Sequence, residues 1–314
     1  MSVLVDLIVM LGMLVVVPAG LRLTGAPELD RIRRLWPLFA VPGAVALWLP
    51  RGGPATVLAG CYALGALLLA LHAPLRAVRA SAAHRTAEIA LFTALVTPSV
   101  AATALVAERS GHALFGFGLG ILALTVPHFH FAGFAAALIA GLVCRVADGP
   151  AGTFAASSVP AGTLLVLIGY FIGDWAELAG AVVLTAGMWA VALLTWRTIR
   201  GSGRDRTTRM LFAVSSAVLV ATMVLALSWA LGEATGLPHP TLTWMAATHG
   251  LGNALGFALC SVLAWRRLQD RPEQDPPEQP PPDCPRTERP PAAPALTTSV
   301  RTDPPLTDLK DRTS

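Results

Sequence analysis

Apolar runs about as long as a bilayer is thick recur along this chain from residue 3 to residue 265, and that repetition constrains the fold more than any motif does. A hydrocarbon core of about 30 Å takes roughly 20 residues of helix, and inside it only helices and closed barrels satisfy their own backbone. The runs cover residues 3–23, 35–49, 55–73, 87–107, 111–146, 153–172, 175–196, 210–231 and 242–265. With 54% hydrophobic and 13% charged residues, the chain cannot cover a surface in water. The expected fold is all-α, a polytopic membrane bundle of about nine transmembrane helices whose first partner is the lipid bilayer.

The run 111–146 is the ambiguous one. As a single helix it would measure about 54 Å, too long for one crossing and short for two. Arginine placement decides, because cytoplasmic loops carry the excess of basic residues. Arg22, Arg31, Arg33 and Arg34 follow the first run; Arg76, Arg79 and Arg85 follow the third; Arg197, Arg200, Arg204, Arg206 and Arg209 follow the seventh; Arg266 and Arg267 follow the last. One crossing by 111–146 puts all four clusters on one side. The reading is therefore a single fifth helix from about 119 to 145, kinked at Pro127, with 111–118 as an interfacial approach. The amino end lies outside and the carboxyl end in the cytoplasm. Asp6 stands where a cleaved leader would be basic, so the first helix is expected to stay in the protein. Because the arginines sit at span ends and form no basic face, the net charge of +4 marks topology and excludes a nucleic-acid partner.

The chain divides into a bundle, 1–267, and a tail, 268–314. Pro276-Pro277, Pro280-Pro281-Pro282, Pro290-Pro291 and Pro304-Pro305 stand in the tail among scattered charges with little to bury, so a disordered cytoplasmic segment is expected. Cys61, Cys144, Cys260 and Cys284 form no CxxC pair and carry no disulfide or zinc signal.

Ionisable residues at membrane depth are costly and few, which makes them the best functional pointers. One cluster is His128-Phe129-His130-Phe131-Ala132-Gly133-Phe134, just after Pro127; the other runs from Thr248 to Phe257, THGLGNALGF. In the second, His249, Gly252, Asn253, Gly256 and Cys260 share one helix face, and Gly252 and Gly256 form a GxxxG pair suited to close helix packing. In the first, residues two apart point to opposite sides, so His128 and His130 converge only if the helix unwinds at Pro127. His130 heads a small-residue face with Gly133, Ala137 and Gly141, expected to pack against the His249 face. Asp6, His112, Asp174, Glu177, Glu233 and His239 surround the expected entrance, although helix N-terminal charge accounts for Asp174 and Glu177. His72, His84 and Glu88 read as interface residues.

HFHFAGF and THGLGNALGF together resemble the YndJ-like family of bacterial membrane proteins. The resemblance implies a multi-pass protein of the inner membrane and makes His128, His130, Gly133, His249, Asn253 and Gly256 the candidate residues. It brings no reaction, substrate or cofactor with it. Three readings stay open. The first is a transporter of a small molecule, ion or proton, with His128, His130, His249 and Asn253 as its binding site. The second is a membrane metal- or haem-binding protein using His128, His130 and His249. The third is a structural, assembly or sensory protein in which the histidines glue helices. The chain has no GxSxG, Walker loop, HExxH or CxxCH, which weighs against an enzyme.

The orientation is testable. Reporter fusions after Arg200 are expected to report the cytoplasm and fusions before Asp6 the outside; an external reporter at Arg200 would overturn the nine-span count.

Overall fold

The computed structural model describes residues 3–79, 85–147, 149–201 and 204–270, apart from the side chains at 77 and 79. Residues 271–314, which hold all of the proline-rich part of the tail, and His84 lie outside the described residues; the first residues assigned to the tail continue the last helix as far as Gln269. Within them are nine long helices: α1 Val3–Leu23, α2 Pro27–Ala46, α3 Gly53–Arg79, α4 Arg85–Ser110, α5 Leu119–Val146, α6 Pro150–Ile172, α7 Asp174–Ile199, α8 Arg206–Thr235 and α9 Leu242–Gln269. All except α2 are long and apolar enough to cross a membrane. α2 opens with Glu28, Asp30, Arg31, Arg33 and Arg34, so its apolar part is confined to its second half. The expected single fifth helix is present, and 111–118 forms a tight turn in which Leu114 and Phe117 bridge each other.

Leu38, Val57, Leu71, Ile172, Trp175 and Trp244 are exposed on the outside of the bundle, whereas the interior is alanine-rich and tight. Such an apolar exterior is stable against lipid tails and not against water.

Ion pairs show which helix ends lie together. At the arginine-rich end, Glu88 on α4 accepts from Arg76 on α3 at 2.7 Å and from Arg145 on α5 at 2.5 Å, while Arg76 also reaches Glu28 on α2 at 3.2 Å. Glu88, which reads from sequence as an interface residue, is thus the node tying four helices. Arg22 of α1 meets Asp270 at 2.8 Å, closing the bundle between its first and last helices. At the other end Glu108 of α4 is fully buried, bound by Arg51 at 2.7 Å and by its neighbour Arg109. Arg109 also donates to the carbonyls of Ala46, Leu47 and Leu49, filling acceptors that the end of α2 leaves open. Along α2, α3, α4 and α5 each helix therefore reverses the direction of the one before.

Two devices bring helices close. In the α6–α7 hairpin, a Cβ on Gly162 would lie 2.5 Å from Leu184, one on Gly169 2.6 Å from Glu177, and one on Gly180 2.5 Å from Val166, so only glycine allows this spacing. The hairpin turns on Gly173 alone, whose φ of 135° is closed to residues with a Cβ. The second device is the π-turn. Gly12–Val16, Phe129–Ala135, Thr195–Ile199, Ala246–Gly250 and Gly252–Leu259 are π-helical, which widens the helix and shifts the phase of the side chains beyond. In α1 the widened turn leaves the Met13 carbonyl free to accept from the indole of Trp36 at 2.7 Å.

The two kinds of ion pair should differ sharply in worth. Glu108→Ala strands two guanidinium groups, one of them buried, and is expected to cost about 3–5 kcal/mol in detergent unfolding. Removing the half-exposed Arg22–Asp270 pair through Arg22→Ala should cost at most about 1 kcal/mol.

Candidate functional site

A cavity of about 260 Å³ lies among α1, α5, α6, α7, α8 and α9. Its walls are mostly apolar, with His128, Tyr170, Glu177, His249 and Asn253 as the principal polar side chains. The π-turns of α5 and α9 supply two of its walls and touch one another. A second cavity of about 290 Å³, lined by Phe117, Leu167 and Phe171 among others, shares Ile121, Thr125 and Tyr170 with the first. Phe115 at its edge holds a φ of 54°, an uncommon conformation for a bulky residue, and packs edge-on against Phe171.

The three candidate histidines have three different situations. His130 points away from the cavity and is fully buried. Its Nδ1–H donates to the Val126 carbonyl at 2.7 Å, and its Nε2 accepts from the Tyr62 hydroxyl at 2.5 Å. The ring lies over Gly12 of α1, where an added Cβ would come within 2.9 Å. Both nitrogens are therefore occupied, and the residue joins α1, α3 and α5.

His249 lines the cavity but is also internally satisfied. A carbonyl only accepts, so the 2.8 Å contact with Thr222 fixes the proton on Nδ1. Nε2 then accepts from the Asn253 amide at 3.1 Å, and Asn253 Oδ1 accepts from the Thr222 hydroxyl at 2.8 Å. Thr222, His249 and Asn253 form a closed ring between α8 and α9 in which every role is assigned.

His128 differs from both. Among the described residues it makes no hydrogen bond; it faces the cavity with its ring 6.5 Å from that of Tyr170. The Tyr170 hydroxyl and the Glu177 carboxylate are likewise without a hydrogen-bonding partner among the described residues, and both line the cavity. His128 and His249 line the same cavity. No group of three or more His, Cys, Asp or Glu side chains that would hold a metal is found among the described residues, since His130 faces the Tyr62 side of α5.

The small-residue faces do not pack on one another as expected. Gly133 meets Thr97 and Gly141 meets Ala87 and Ala90, all on α4, while Gly252 and Gly256 meet Thr222 and Val218 on α8. The physical reason is sequential neighbourhood: each small face lets its own hairpin partner approach, and the cavity opens between the two hairpins. Other entrance residues scatter. Asp6 is buried with one carboxylate oxygen unpartnered, and it is not on the cavity wall. His112 contacts Ser110 at 3.2 Å, and His239 pairs with Glu233 at 3.1 Å.

Tyr62, Tyr170, Trp229 and Thr222 carry no sequence motif. A signal was nonetheless present, because the chain has only two tyrosines and both lie inside apolar runs, where a hydroxyl needs a partner. One of them meets His130 and the other stands beside His128.

No curated protein and no solved structure matches the chain. A family model described as YndJ-like protein matches residues 7–257 of the 314, from the first helix through the Thr248–Phe257 motif. The chain belongs to the YndJ-like family.

Proposed function

We propose that this membrane protein is a carrier for a small, largely apolar molecule bearing one polar group, bound in the cavity among α1 and α5–α9. The observation behind this reading is the pairing of apolar walls with three polar side chains, His128, Tyr170 and Glu177, whose hydrogen-bonding capacity the chain itself leaves unused. Polar groups at membrane depth are expensive when unpaired, so a site that keeps them is a site for something else to pair with. His249 and Asn253 belong to the wall that faces the ligand, and Asn253 retains a second amide hydrogen beyond the ring it forms with His249. The π-turns in α5 and α9 suit a moving wall, since a shift between π and α register rotates a helix segment without breaking it.

The gluing role is favoured for two of the histidines by a specific observation: His130 and His249 have both nitrogens occupied. It does not extend to His128. On this division Asn253→Leu should lower stability by about 0.6–1.7 kcal/mol, the range for hydrogen bonds between membrane helices, whereas His128→Leu should leave stability unchanged or raised. Chemical unfolding of the two variants side by side checks this; equal losses would make His128 another structural residue.

Transport itself is read by accessibility. With the native cysteines replaced, Ala132→Cys on the cavity wall is expected to react with a membrane-impermeant maleimide from both membrane surfaces, because a carrier exposes its site alternately. Reaction from one surface only would favour a sensor over a carrier. Reaction from neither would remove the cavity as a solute site.

A further inference from the structure

The cavity wall has one carboxyl group, that of Glu177, and no lysine or arginine among the described residues. Glu177 sits in the first turn of α7, where the helix dipole favours an anion, and its backbone packs closely against Gly169 of α6. The charges that act on it are also negative: Asp174 one turn back on α7, and Glu233 at the end of α8, which His239 holds at 3.1 Å. The arginines at this end are committed elsewhere, since Arg51 and Arg109 both bind Glu108. The histidines that share the wall do not supply the missing positive charge. His249 is held as a neutral donor-acceptor by Thr222 and Asn253, and His128 makes no ion pair among the described residues.

The rest of the wall is suited to a positive charge as well. Phe131, Tyr170, Trp229 and Phe257 line the same cavity. Aromatic faces attract cations, and the attraction grows to about 2 kcal/mol or more where water is excluded. A carboxylate among aromatic rings repels phosphate, sulfate and carboxylate ligands and gives neutral ones no special advantage. A cation gains from both features at once, and it relieves an anion that otherwise lies partly desolvated without a counter-ion.

We infer that the ligand of this cavity is a lipophilic organic cation, an apolar or aromatic body bearing one amine, ammonium or phosphonium centre, with the Glu177 carboxylate as its counter-ion. This rests on the reading of the cavity as a solute site and names the chemical class of that solute. The apolar second cavity beyond Tyr170 has no charged residue on its wall, so the charged centre belongs on the Glu177 side.

Three probes of similar bulk separate charge from shape: tetraphenylphosphonium, neutral tetraphenylmethane and tetraphenylborate. Binding is measured to the full chain in nanodiscs of zwitterionic lipid, against empty nanodiscs to subtract partitioning into lipid. The cation is expected to bind at least tenfold more tightly than the neutral probe and the anion not at all. Glu177→Gln should erase the preference while the neutral probe still binds, and Glu177→Asp, which keeps the charge if the amide variant fails to fold, should retain it. Ala132→Trp, which fills the cavity, should abolish binding of all probes and so locate it. Equal binding of cation and neutral probe, or a preference that survives Glu177→Gln, would overturn the cation assignment and leave the solute site standing. Failure of every probe to bind above empty nanodiscs would overturn both.

Discussion

Everything in this bundle depends on the requirement that a polar group in hydrocarbon find its partner inside the protein. The backbone meets it by forming helices. The side chains meet it in three ways that divide the structure by depth. At the arginine-rich end, Glu88 gathers Arg76 and Arg145. At the other end, Glu108 gathers Arg51 and Arg109, and Arg109 in turn covers the last carbonyls of α2. Between these nodes the partners are neutral: Trp36 on the Met13 carbonyl, Tyr62 on His130, Ser215 on Ser261, and the ring of Thr222, His249 and Asn253. A buried ion pair at the membrane edge and a neutral hydrogen bond near its centre answer the same constraint at different desolvation cost.

Against that background, unused polar capacity stands out. His128 lies two residues from His130 on the same helix, yet one imidazole is saturated and the other faces open space. The difference comes from what the neighbouring helices present. On the His130 side, Gly12 lets α1 come close and Tyr62 reaches across from α3. On the His128 side, α6 and α7 are drawn tightly to each other by their own glycines, leaving a gap toward α5 that Tyr170 and Glu177 border. The cavity is thus a consequence of tight packing elsewhere. Glycine-mediated approach within the α6–α7 and α8–α9 hairpins uses up the small residues that would otherwise close the gap.

The π-turns connect this packing to the candidate site. They occur in α1, α5, α7 and α9, and those of α5 and α9 contain or adjoin every histidine of the candidate site. A widened turn leaves backbone groups in less regular pairing and re-aims the side chains after it, which is a common way to place a functional group on a helix without breaking it. Pro127 precedes the π-segment of α5, so the disturbance expected there as a kink is realised as a change of helical register.

The helical membrane bundle and the single fifth helix were legible in residue order, because apolar length and arginine placement are properties of a linear chain. HFHFAGF and THGLGNALGF stood out as well, since polar residues in apolar runs contrast with their surroundings, and both motifs place residues on the wall of one cavity. What residue order could not carry was partner choice. Gly133 and Gly252 read as two faces made for each other, and each instead serves its hairpin neighbour. Glu88 reads as an interface charge and is instead a partly buried node between helices. Tyr62 and Tyr170 decide which histidine is saturated and which is open, though they lie 68 and 42 residues away from their respective partners. Periodicity tells which residues share a face of one helix. Which face meets which is settled by close packing among nine helices at once, and only the tertiary structure decides it.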